Sequence, residues 1–309
     1  MNPRYARPLA ATILLVAGTA CAGGSDDASD AGKLLGKLCR MVEYYADSGF
    51  MHMAPQYAAF KRCVDQGEGE TLADALLHVA RENAGSTNET QKARFAFAVT
   101  WIDEFGGTNA LPFLLEEMKR EEFRGRNSGQ IPSSRHMTVA SFFRIANRKN
   151  ATEALHAAAE MLADERWSWM RNELYYESTQ TVLLHEASDR LKVAKAGGGV
   201  VNLRAVREPI CGFLAECYEN ETAPERFAFL DGFIRSKLPE WKSSERRLRG
   251  AQRMLRLHPE SKAASGVVRS VQDARNAQPA GGTAPVQPGD PSDTEIVEPL
   301  PAGWADFQY

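Results

Sequence analysis

The residues in this chain that come nearest to enzyme chemistry are His185, Glu186 and Asp189. A zinc-hydrolase helix needs two histidines four apart with a glutamate beside the first, so that two imidazoles meet one metal and the carboxylate activates water. Here Asp189 stands where the second histidine would be, and His52, His78, His136, His156 and His258 are scattered. The plainer reading of His185, as a polar residue on a solvated face beside Leu183, Leu184 and Ala187, therefore leads. No catalytic residue, metal ligand or cofactor is assigned. The chain also has no glycine-rich phosphate loop, no GxSxG elbow and no Cys/His zinc pattern.

Two other clusters have side chains suited to binding. Trp167, Trp169, Tyr175 and Tyr176 crowd one short stretch, and aromatic faces of this kind stack on sugars or on a protein partner, although they also serve as large core residues. Arg246, Arg249, Arg253 and Arg256 recur three or four apart, which puts their guanidinium groups on one face of a helix. Such a stripe suits phosphate on anionic lipid. It is equally an ordinary solvated face, partly offset by Glu240 and Glu245.

The elements that must position these residues read as helices, because no stretch shows sustained strand alternation. The run from Arg94 to Ala187 carries an apolar triplet at a spacing of 41 residues: Trp101, Ile102 and Phe105, then Phe142, Phe143 and Ala146, then Leu183, Leu184 and Ala187. Arg94 falls on Arg135, Asn109 on Asn150, Ala110 on Ala151 and Leu114 on Leu155 at the same period. A fixed period of this size is the mark of stacked helix pairs, each covering the apolar face its neighbour leaves open. The third copy departs: Gly197, Gly198 and Gly199 stand where its second helix should begin, and read as a flexible interruption. The sequence Ala110-Leu111-Pro112-Phe113-Leu114 resembles the second helix of HEAT-like repeats, which implies an α-solenoid.

The chain has 309 residues, 43% of them hydrophobic and 25% charged, enough to bury a core. Its net charge of -3 is too small to argue for nucleic acid or a strongly anionic substrate, so no nucleic acid is expected as a partner. Arg4 and Arg7 precede nine uncharged, mostly apolar residues, Leu9 to Ala17, and then Gly18-Thr19-Ala20-Cys21. Nine residues rise about 14 Å as a helix, too short for a hydrocarbon core of about 30 Å, so residues 1–20 read as an export signal. Small residues directly before a cysteine resemble the lipobox of bacterial lipoproteins. That resemblance implies a lipidated Cys21 as the first mature residue and, with Ala22 rather than aspartate behind it, an outer-membrane destination. Gly18 departs from the leucine usual at its position, and cleavage by ordinary signal peptidase to give a soluble secreted protein stays open.

With Cys21 lipidated, Cys39, Cys63, Cys211 and Cys217 remain in a compartment that permits disulfides. Cys211 and Cys217 would lie about 9 Å apart along one helix, too far to bridge. Cys39 and Cys63, on the first two helices, are the expected pair.

The resulting expectation is an all-α chain: signal peptide 1–20, lipid attachment and flexible tether 21–32, helical-repeat domain 33–260 and a disordered Pro/Gly-rich tail 261–309. Its expected role is a non-enzymatic scaffold that binds another protein of the cell envelope and reaches the membrane through its lipid anchor. The alternatives are an exported metal-dependent hydrolase near His185 and a glycan or peptidoglycan binder using Trp167 and Trp169.

Overall fold

A computed structural model describes residues 28–48, 54–120, 133–276 and 293–299. The described residues contain twelve α-helices and a single two-stranded antiparallel ribbon. All-α is thus the fold class, as the absence of strand periodicity implied. The expected signal peptide, Cys21 and the tether up to residue 27 lie outside the described residues.

The chain divides into two compact units at Gly107 and Thr108. The first contains α1 (Ala28–Asp47), α2 (Ala54–Asp65), α3 (Gly69–Asn83) and α4 (Glu89–Phe105). Three- and four-residue apolar steps in α1 bring Leu38 and Val42 inward, where they join Phe60, Leu72, Leu76, Val99 and Ile102 in the core. Phe60 meets Trp101 edge to face, ring centres 5.2 Å apart. Asn88 caps α4 by accepting from the amides of Thr90 and Gln91. Arg94 reaches back to α1, with Nε 2.8 Å from Asp47 and Nη1 3.2 Å from Glu43.

The second unit contains α5 (Leu111–Met118), α6 (Ser133–Arg148), α7 (Thr152–Ala163), α8 (Arg171–Lys195), β1 (Gly199–Asn202), α9 (Leu203–Asn220), α10 (Pro224–Lys237), α11 (Glu245–Leu257), α12 (Lys262–Asn276) and β2 (Thr294–Val297). α6 packs on α8 and α7 on α9, while α9 also packs on α11. Contact pairs show that α6 and α8 run parallel, since Arg135 meets Glu173 and Asn147 meets His185; Glu219, near the carboxyl end of α9, meets Arg246 and Arg249 of α11. Phe142, Phe143, Ile145, Ile210, Phe213 and Leu214 are buried.

Four expectations are corrected here. The single domain over 33–260 is two units, and the boundary parts the Trp101 helix from the Leu114 helix that were to form the first hairpin. The third apolar triplet does not face inward, because Leu183, Leu184 and Ala187 lie on the exposed side of α8. That helix instead buries Leu174, Tyr175, Ser178 and Val182, a stripe rotated away from the 41-residue register.

Third, order does not end at residue 261. Ala264, Val267 and Val271 recur at helical spacing and are buried along α12, which packs on α11. Residues 277–292 and 300–309 of the expected tail lie outside the described residues. Fourth, Gly197, Gly198 and Gly199 form a sterically required turn, with φ of 100°, 85° and 153°. A Cβ on Gly198 would stand 2.9 Å from the Val297 carbonyl. These glycines let β1 pair with β2, placing Val200 opposite Ile296. Amides of Leu203 and Arg204 donate to the Asp293 carbonyl and secure the other end of the ribbon.

Candidate functional site

The α6–α8 interface is a polar seam. The sequence predisposes it: Glu173, Glu177, Thr181 and His185 lie four apart, so one face of α8 carries four polar groups in a row. Arg135, His136 and Asn147 of α6 face them. Arg135 Nη2 is 2.8 Å from Glu173 Oε2, and its guanidinium carbon stands 4.4 Å from the centre of the Trp169 ring. His136 Nδ1 approaches Glu177 Oε1 at 3.2 Å, an ion-pair distance without hydrogen-bond alignment.

Burial lifts both carboxyls above the usual carboxylate range. At Glu173 the charges of Arg135 and His136 oppose that rise; at Glu177 His136 and Arg144 oppose it and Glu173 adds to it. A carboxyl inclined to keep its proton beside an imidazole can exchange that proton. Glu177, however, is 3% exposed, so it offers a substrate no direct access.

His185 closes the lower end of the seam. Asn147 Nδ2 lies 2.8 Å from His185 Nδ1 and 3.0 Å from the Val206 carbonyl. Only an amide nitrogen can serve that carbonyl, so both amide hydrogens are donated and Nδ1 of His185 must accept. Its proton then sits on Nε2, and neither ring nitrogen presents a lone pair to a metal. Burial first, and then Arg148, pushes the imidazole down to about 4, so it is neutral at neutral pH. Among the described residues no group of three His, Cys, Asp or Glu side chains has metal-binding geometry. His185 is therefore a part-buried interface residue, in place of the solvated polar position expected for it.

Glu186, beside it in sequence, points to the other side of α8. Its Oε1 accepts from Arg207 Nε at 2.6 Å and from Lys237 Nζ at 3.0 Å, and Oε2 is also 3.0 Å from Lys237. Arg190, one turn on, contacts Glu186 and donates to Glu295 of the ribbon at 2.8 Å. Burial opposes ionisation of Glu186, but the hydrogen bonds from Arg207 and Lys237 outweigh it and hold the carboxyl below its usual range. This ionised group joins α8, α9, α10 and β2.

The proposed aromatic platform is not assembled as one surface. Tyr175 is buried with its hydroxyl donating to Glu221 at 2.9 Å, whereas Tyr176 points outward. Trp169 is under Arg135, and Trp167 has the Arg166 guanidinium 5.9 Å from its centre. The arginine stripe is largely engaged: Arg246 and Arg249 both donate to Glu219, at 3.2 and 2.8 Å, and Arg253 donates to the Glu221 carbonyl at 2.9 Å. Arg256 is exposed. The residue between them, Arg247, is the buried one; it forks onto Asp231 at 2.6 and 3.0 Å beside Trp241 Nε1.

Cys39 and Cys63 are free thiols, which corrects the expected bridge; Cys39 Sγ faces the Ala75 carbonyl. Cys211 and Cys217 are also free and buried. Burial pushes the Cys211 thiol up to about 12 and raises Cys217 as well, leaving both unreactive as nucleophiles.

No protein-family model, no curated protein and no solved structure matches this chain. Its site therefore has to be judged on its own geometry. Sequence reasoning passed over Glu173 and Glu177, noted His136 only among the scattered histidines, and noted Arg135 only as a counterpart of Arg94. Their signal was the four-residue polar spacing on α8, which became legible as a seam only when α6 was laid against it.

Proposed function

We propose that this chain is a lipid-anchored helical-repeat scaffold of a bacterial envelope, binding another protein and carrying no catalytic centre. One observation supports the proposal: in the second unit α6 lies parallel against α8, while α7 packs on α9 and α9 on α11. We read this stacking as that of an α-solenoid, whose extended side-chain surface suits recognition. The titratable side chains support the same reading, since Glu186, Glu221 and Asp231 each face a cationic side chain of this chain.

The anchor rests on Arg4, Arg7, the apolar run 9–17 and Cys21. Among the described residues no helix is long and apolar enough to cross a membrane; on this proposal the acyl chains on Cys21 hold the protein there.

Mass spectrometry of the mature amino terminus tests the anchor: an acylated Cys21 is expected, and Cys21→Ala should shift the protein from the membrane to the soluble fraction. A free Gly23 would overturn it. Photo-crosslinking residues placed on the outward faces of α6, α8 and α10 test the scaffold; one saturable envelope partner, captured from several of those faces, is expected. Stoichiometric zinc in the purified protein, lost in His185→Ala together with a hydrolytic activity, would replace the scaffold with an enzyme.

A further inference from the structure

The exposed large apolar side chains of the described residues are concentrated along α8. Tyr176, Leu183, Leu184 and Leu191 are 56%, 43%, 46% and 44% exposed, and with Ala187 they fall within an arc of about 100° on the helix. At the carboxyl end of the same helix the ribbon adds the cross-strand pair Val200 and Ile296, both exposed. A contiguous apolar strip of this kind marks a contact surface.

The chain itself leads a suitable occupant to that strip. β2 ends at Val297 opposite Gly199, and Pro299 lies beside Gly198, whose amide donates to the Val193 carbonyl in the last turn of α8. Residues 300–309 therefore start where the strip starts. They read Leu-Pro-Ala-Gly-Trp-Ala-Asp-Phe-Gln-Tyr, with one charged side chain and three aromatic ones. Ten extended residues reach about 33 Å, and the strip from Leu191 back to Tyr176 rises about 22 Å. Phe307 and Tyr309, two apart, share one side of an extended segment.

We propose that the carboxyl-terminal segment 300–309 docks along the outer face of α8, with Trp304, Phe307 and Tyr309 covering Leu191, Ala187, Leu184 and Leu183. The contact is independent of the scaffold proposal. It makes the tail a built-in cover for the apolar strip of α8.

The dye 8-anilinonaphthalene-1-sulfonate, which lights up on exposed apolar surface, reads this out. Full-length Trp304→Ser/Phe307→Ser, and a chain ending at Pro299, should each bind severalfold more dye than the wild type with an unchanged helical circular-dichroism spectrum. A synthetic peptide of residues 300–309 should reverse the gain in the truncated chain. Adding Leu183→Glu and Leu191→Glu should abolish the gain. Equal dye binding by the wild type and both tail variants, or a gain that survives the glutamates, overturns the proposal. So does a full-length dimer by light scattering that the glutamates dissociate, because the strip would then belong to a second copy.

Discussion

Asn147 fixes the tautomer of His185: its amide nitrogen serves both the imidazole Nδ1, at 2.8 Å, and the Val206 carbonyl, at 3.0 Å. The neutral ring is thereby locked into the α6–α8–α9 junction, and its titration is coupled to folding.

Because burial holds His185 near 4 in the folded chain against about 6.5 when unfolded, the unfolded state binds more protons between those values. Stability from this group is complete above pH 6.5 and is lost as pH falls toward 4, by on the order of 3 kcal/mol at most. Urea titrations across that range should show the loss in the wild type and a smaller one in His185→Gln, which keeps an acceptor for Asn147. Parallel pH profiles would count against the coupling.

Glu177 acts in the opposite direction. Its carboxyl is raised by burial, so the folded state holds the proton more tightly and stability falls as pH rises through the unfolded carboxylate range. Glu177→Gln should therefore lose less stability than the wild type between pH 4 and pH 7, with the two curves converging in acid. Chemical denaturation at several pH values checks it.

Glu186 is ionised and 3% exposed between Arg207 and Lys237. Glu186→Ala leaves two cations facing each other and should lower unfolding free energy by about 3 kcal/mol, the scale for breaking a buried ion pair. Hydrogen exchange should also quicken in the ribbon that Arg190 ties to Glu295.

Gly250 of α11 lies against Tyr218, and a Cβ there would overlap the ring. The ring cannot yield: it stacks on Phe227 at 4.4 Å, meets Trp241 edge-on at 5.3 Å, and its hydroxyl donates to the Arg247 carbonyl at 3.2 Å. Gly250→Ala should destabilise by about 1–3 kcal/mol despite its better helix propensity. Thermal unfolding beside Gly212→Ala of α9, where nothing lies within contact distance, separates the clash from propensity.

Cys39, Cys63, Cys211 and Cys217 are free. Thiol titration in denaturant without reductant should find all four, and dithiothreitol should leave the melting temperature unchanged. A protected Cys39–Cys63 pair in peptide mapping would contradict this.

The sequence by itself determined that the body is helical, where most helices lie, and that the apolar faces around Trp101 and Phe142 turn inward, because three- and four-residue periodicity is a local property of the chain. It also marked an interruption at Gly197 to Gly199, though as a flexible one and not as the turn that lets β1 pair with β2. Only the tertiary structure decided that Leu183 and Leu184 face outward, since a 25-residue helix that buries Glu186 against Arg207 and Lys237 takes its rotation from its neighbours and not from its own apolar count. The same holds for the partner of Arg135 and the tautomer of His185. Each depends on groups tens of residues away, whose charge and shape enter only when the helices are packed.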